Sequence, residues 1–249
     1  MARALEQAVQ YHRQGRLFDA ERFYRDALRE SPRDFDTLHF FGVLKLQQGG
    51  ASDALPLLQK AIEVRPNALD VLSNLSVALL ALNRPAEALA NFDKILSVAP
   101  QDVSALFGRG TVLAQLGRPA EALISIDRAL SVHPNHAPAL FNRGTILAGL
   151  GRYPGALAAY DQVIALVPAH VDALNNRGNV LAQVDRYIEH AEQHGFPPEE
   201  VAEAIELALN SPRPKARYLV PKREGRVIIA RKFLSDRMWD QQIRRLMKW

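Results

Sequence analysis

The sequence predicts an all-α protein: a row of antiparallel helix pairs, followed by a short tail of different character. Three residue columns predict the row. Pro32, Pro66, Pro100, Pro134 and Pro168 recur every 34 residues. Ala20, Ala54, Ala88, Ala122 and Ala156 keep the same step, as do Gly42, Gly110, Gly144 and Gly178, with Ser76 filling the second place. A shared period of this length in three independent columns is the mark of stacked structural repeats.

Each element then follows in order. Leu38, Leu72, Leu106, Leu140 and Leu174 lie on one helical face with Leu79, Leu113, Leu147 and Leu181, and the small column lies there too, so this stripe is the core side of the first helix of each unit. A small residue is required where two helices approach closely, and the alanine column meets the same need on the second helix. The first helices end at Gly15, Gly49, Asn83, Gly117 and Gly151, residue types that accept the left-handed backbone of a helix end. Pro85 and Pro119 open two of the second helices, where the missing amide hydrogen costs nothing. The units are 1–34, 35–68, 69–102, 103–136 and 137–170, with a partial sixth at 171–186. No single pair can bury its own apolar face, so neighbours supply the core.

These columns resemble the tetratricopeptide repeat family over about 1–186. The resemblance implies a right-handed superhelical solenoid whose first helices line a concave groove for a protein partner, with no catalysis. Opposite the leucine stripe stand three columns. They are Asn74, Gly108, Asn142, Asn176; His39, Ser73, Phe107, Phe141, Asn175; and Val43, Val77, Thr111, Thr145, Asn179. The expected partner-binding residues are Asn74, Phe107, Thr111, Phe141, Asn142, Thr145, Asn175, Asn176 and Asn179. An asparagine amide both donates and accepts, so it can pair with any peptide backbone. FNRG and NNRGN are similar to the asparagine ladder of protein O-linked N-acetylglucosamine transferases, which bears on Asn74, Asn142 and Asn176; Gly108 breaks the ladder, and Glu6 and Phe40 hold its first two rungs. Arg109, Arg143 and Arg177 sit at the edge of the stripe and read as structural. The family's clamp for chaperone tails needs Lys and Arg where Ser, Phe, Val, Thr and Asn stand, so that adaptor role is not expected.

After Arg186 the period fails: position 202 holds Ala202 instead of proline, and position 190 holds His190 instead of alanine. The net charge of +4 hides an asymmetry, because Ser211 to Trp249 contain twelve Lys or Arg against three Asp or Glu. PPEEVAEAIELALNS reads as a helix, expected to cap the array as part of Tyr187 to Asn210. ARYLV reads as a short strand without a partner, and the end is a basic amphipathic stretch carrying Trp239 and Trp249. PPEEVAEAI, SPRPKARYLV and SDRMWDQQIRRL resemble the C-terminal end of short-chain dehydrogenase/reductases. No glycine-rich fingerprint follows a strand, so no nicotinamide cofactor is expected. Tyr218 and Lys222 have that family's catalytic spacing, but Pro221 between them forbids the helix the pair needs.

The absence of cysteine excludes disulfides and thiolate chemistry. The start lacks the apolar core of a signal peptide and no run is long enough to span a bilayer, so a cytoplasmic protein is expected. His190 and His194 lack a third ligand, hence no metal. His133 and His136 flank Pro134 in a turn and are given no role. No catalytic residues, cofactors or nucleic-acid partner are expected; the basic tail leaves room for weak contact with an acidic membrane surface. The predicted function is a scaffold that binds a partner peptide or helix. The alternative is a fusion remnant of, or partner to, an NAD(P)-dependent oxidoreductase or a repeat-linked glycosyltransferase.

Overall fold

Five residues reverse the chain with a left-handed backbone: Gly15 (φ 73°), Gly49 (77°), Asn83 (57°), Gly117 (71°) and Gly151 (71°). These are the positions the sequence marked as ends of the first helices. The computed structural model describes residues 2–194, 217–220 and 227–230. Its helices are α1 (Ala2–Arg13), α2 (Leu17–Glu30), α3 (Phe35–Gln47), α4 (Ala51–Val64), α5 (Leu69–Ala81) and α6 (Pro85–Val98). There follow α7 (Val103–Gln115), α8 (Pro119–Val132), α9 (Ala137–Gly149), α10 (Tyr153–Leu166) and α11 (Val171–His194), then strands β1 (Arg217–Val220) and β2 (Val227–Ala230). Pro85 and Pro119 open α6 and α8 as expected.

Two compact units divide the chain, Met1–Ala139 and Leu140–Trp249. In the first, α1 pairs with α2, α3 with α4, α5 with α6 and α7 with α8, and α2, α4 and α6 also touch the next first helix. In the second, α10 packs on α11, and β1 pairs antiparallel with β2, Arg217 opposite Ala230 and Val220 opposite Val227.

The packing explains the columns. Ala20, Ala54, Ala88, Ala122 and Ala156 are all fully buried, and Leu38, Leu72, Leu106 and Leu140 are buried beside them. A β-carbon on Gly42 would stand 2.7 Å from Leu58, on Gly110 2.5 Å from Ile126, and on Gly144 2.6 Å from Tyr160. Each partner lies sixteen residues onward, on the second helix of the same pair. Hydrogen is therefore the largest substituent these helix crossings accept without displacement. Ser76, the one exception in the column, is buried and turns its hydroxyl back to the Leu72 carbonyl at 2.8 Å.

An ion pair between the buried Lys45 and the half-buried Glu21 ties α2 to α3. Lys45 Nζ lies 2.8 Å from Glu21 Oε1, and Arg25 and Gln48 also donate to this carboxylate. Burial acts to raise the Glu21 pKa, yet the three donors hold it down at about 2.

Three expectations need correction. Leu174 is 45% exposed although it continues the leucine column, because no described second helix follows α11 to cover it. The strand-like run has a partner, since β1 is paired along its length with β2. Finally, α11 does not stop after thirteen residues like α3, α5, α7 and α9 but continues through Arg186 to His194. The helices expected at 197–211 and near the C-terminus, the cap beyond His194, and Lys222 lie outside the described residues, while Tyr218 belongs to β1.

Candidate functional site

In the first unit the face opposite the leucine stripe carries Asn74 on α5 and Phe107 and Thr111 on α7. Phe107 is half-buried, its ring tilted against His136 with centroids 5.1 Å apart. Thr111, also half-buried, donates its hydroxyl to the Phe107 carbonyl at 3.0 Å. Asn74 is half-buried and its amide nitrogen donates to His39 Nε2 at 2.9 Å. Accepting there leaves the ring proton on Nδ1, which faces Asp70 Oδ2 at 3.5 Å. Burial holds His39 below the ordinary histidine pKa, against the opposing pull of Asp70 and Asp36.

Two groove assignments change in consequence. His39 is buried at 7% exposure, enclosed by Phe35, Phe40 and Asn74, so its ring does not present a free ligand surface. A β-carbon on Gly108 would meet the Phe92 ring at 2.5 Å. Both Asn74 and Gly108 thus face the preceding helix pair, and the break in the asparagine ladder is a packing requirement of Phe92.

The second unit repeats the aromatic arrangement. Phe141 on α9 is half-buried, stacked on His170 at 5.1 Å with 26° between the planes, and tilted against Tyr160 at 5.9 Å. Tyr160 Oη donates to Thr145 Oγ1 at 3.3 Å, and Thr145 donates in turn to the Phe141 carbonyl at 3.1 Å. Asn142 and Asn176 are half-buried, while Thr145, Asn175 and Asn179 are exposed. The structure thus joins Phe107 with Thr111, and Phe141 with Thr145; Asn175, Asn176 and Asn179 share α11, and Asn74 stands apart against His39.

Arg109 donates through Nε to Asp93 at 2.6 Å and through Nη1 to Ser125 Oγ at 2.7 Å, and Arg177 donates to Asp161 at 2.6 Å. Both tie a first helix to the second helix sixteen residues earlier, as structural arginines should.

The sequence reading missed the histidines behind the two phenylalanines. His136 Nδ1 accepts the Ala139 amide hydrogen at 3.1 Å, and His170 Nδ1 accepts that of Ala173 at 3.2 Å. These are N-caps, which satisfy first-turn amides otherwise left unpaired. Accepting at Nδ1 requires the neutral ring, and burial followed by the nearby His133 pushes the His136 pKa down. The period held the signal: Asp34 and Asp102 occupy the same column and accept from Thr37 at 2.9 Å and Ala105 at 2.7 Å. His136 therefore has a role that its place beside Pro134 did not suggest.

A family model for the tetratricopeptide repeat matches residues 41–102, 77–139, 110–169 and 141–187, which together span more than half of the chain. The chain belongs to the tetratricopeptide repeat family. Solved structures of tetratricopeptide proteins agree in fold. One from Parabacteroides merdae ATCC 43184 is 19% identical with a TM-score of 0.66, covering 84% of this chain and 98% of its own. MamA is 17% identical with a TM-score of 0.62, over 69% of this chain and 93% of its own. YrrB, described as a tetratricopeptide protein with an unusual peptide-binding site, is 25% identical with a TM-score of 0.55, over 75% and 93%. No curated protein matches the chain. Tetratricopeptide proteins are in general scaffolds that bind proteins or peptides. Among the described residues no cluster of three metal-ligating side chains occurs, and no helix is long and apolar enough to cross a membrane.

Proposed function

We propose that residues 1–186 form an interaction array that holds a peptide or helix of a partner protein, without catalysis and in the cytoplasm. Asn74, Phe107, Thr111, Phe141, Asn142, Thr145, Asn175, Asn176 and Asn179 supply the contact surface. The observation that carries this reading is the recurrence of a half-exposed phenylalanine one period apart, each ring backed by a capping histidine that fixes it in place. Rigid aromatic anchors of this kind dominate binding at protein interfaces. The Thr111 and Thr145 hydroxyls are turned to their own backbone, so they offer methyl groups. The exposed amides of Asn175 and Asn179 suit a partner's main chain. The peptide-binding site named for YrrB supports the same class of ligand.

The test is capture by the full chain and by the F107A/F141A variant, with helical content compared by circular dichroism. The variant should lose at least about tenfold in affinity for the captured partner, since aromatic anchors contribute about 2 kcal/mol or more. Equal capture by both chains would remove these residues from the site.

The tail enters the proposal separately. Its likeness to the end of a short-chain dehydrogenase supports an origin by fusion, with no retained cofactor site; nicotinamide-cofactor binding detected by fluorescence would contradict this. Its basic residues support weak attachment to acidic vesicles, to be lost as salt is raised.

A further inference from the structure

Asn74, on the proposed partner face, is bonded to a ring that can take up a proton. Its Nδ2 donates to His39 Nε2 at 2.9 Å, and the proton of the neutral ring sits on Nδ1, toward Asp70 Oδ2 at 3.5 Å. An amide NH2 only donates, so this contact selects one of the two neutral forms of the ring. The other half of the amide is uncommitted: Asn74 Oδ1 accepts no bond among the described residues and is not sealed from water. With a neutral ring, this rung therefore offers the groove an acceptor. The ring itself is buried, stacked on Phe40 with centroids 5.4 Å apart and tilted against Phe35 at 6.1 Å.

A second proton on this ring must land on Nε2, because Nδ1 already carries one. Nε2–H then points at Nδ2–H of Asn74, donor against donor. A half turn of the amide removes the conflict, since oxygen and NH2 exchange places with almost no change of shape. Oδ1 then accepts from Nε2–H in a charge-assisted bond, stronger than the neutral one it replaces, and the NH2 swings to where Oδ1 stood. The surroundings set when this happens. Asp36 on the same helix and Asp70 on α5 favour the charged ring, and burial opposes it. Arg65, which follows α4, is laid over the Phe35 ring at 3.9 Å. On α1, Glu6 and Arg13 line the neighbouring hollow with Phe40 and not the one that holds His39. Burial prevails, so the ring is neutral at neutral pH and charges only below the ordinary 6.5.

We propose that His39 and Asn74 form a proton-operated switch in the partner site: beside the neutral ring the Asn74 amide accepts a hydrogen bond from the partner, and beside the charged ring the reversed amide donates one. A partner's main chain presents N–H and C=O groups at different places, so a contact made in one state is opposed in the other. The use of the switch rests on the partner site proposed above; the exchange itself belongs to the free chain.

Nuclear magnetic resonance of the full-length protein, labelled with nitrogen-15, tests this without a partner. At about pH 8, above any histidine midpoint expected here, His39 should carry its proton on Nδ1 and none on Nε2. As the pH is lowered to about 5, the ring should take up a proton with a midpoint below 6.5, and the side-chain amide signals of Asn74 should move with that same midpoint. In N74D the new carboxylate only accepts and adds an opposite charge, so the His39 midpoint should rise by at least about one pH unit. The two observations on the parent chain need no variant and stand if N74D does not fold. A proton on Nε2 at pH 8 would overturn the proposal. So would Asn74 signals that ignore the titration of the ring, or a folded N74D chain with the parent's midpoint. Equal capture by the F107A/F141A chain would remove the partner site and leave these signals as they are, so the two readings fail separately.

Discussion

The helices α7 and α11 carry the same residue columns in different company. In α7, Leu106 is 1% exposed and Gly110 is pressed against Ile126; in α11, Leu174 is 45% exposed and a β-carbon on Gly178 would meet nothing within 4 Å. The difference is the second helix: α8 follows α7, and no described helix follows α11 in that place. Burial in a repeat protein is thus a property of the neighbour as much as of the residue, as expected when each unit completes the core of the next.

Substitution at matched positions can break that account. The largest effect is expected at the leucines: L106A should cost about 2–5 kcal/mol for the cavity it leaves, and L174A, where water already reaches the side chain, less than about 1 kcal/mol. Urea denaturation of both variants measures this, and equal losses would mean that α11 is covered as α7 is.

The glycines should differ in sign. A methyl group at Gly110 must displace Ile126 and also approaches the Ala122 carbonyl at 3.2 Å, so G110A should destabilise by about 1–3 kcal/mol despite its better helix propensity. G178A meets no obstacle and should stabilise by about 0.5–1 kcal/mol. Destabilisation by G178A would reveal packing against α11.

The smallest effect sharpens the comparison between caps. His136 must be neutral to accept at Nδ1, and its pKa is pushed below the ordinary 6.5. Its contribution is whole above about pH 6.5, declines as the pH falls from there toward the lowered value, and is lost below it. H136D copies the Asp34 and Asp102 caps, so between pH 7 and 5 it should lose about 1 kcal/mol less than the parent, the buried His39 acting alike in both. Parallel pH profiles for the two proteins would remove the cap from the account.

These tests rest on features unequally legible in the sequence. The left-handed turns, the buried alanines and the paired helices could be read because each is a local demand: a φ near 70° selects Gly or Asn, and a close crossing selects a small side chain. The face opposite the stripe could be read only in part. Helical phase says which way a side chain points, not what stands opposite, so phase alone sends His39 and Gly108 to open groove although Asn74 and Phe92 occupy the space before them. Phase singles out Phe107 and Phe141 but not the histidines behind them, because a capping histidine lacks the familiar composition of Asp or Ser. The β1–β2 pairing is not legible in this way, because VIIA is a short run set apart from ARYLV by PKREGR and carries no clear period of its own.

One feature of the packing bears on how such a chain changes over generations. The contacts from Gly42 to Leu58, Gly110 to Ile126 and Gly144 to Tyr160, like those from Arg109 and Arg177, all bridge sixteen positions. A single inserted residue between two such partners turns everything downstream by about 100° around the helix axis and undoes them. Duplication or loss of a whole 34-residue cassette leaves every bridge intact, so this gene can lengthen or shorten in whole steps and is punished for fractions.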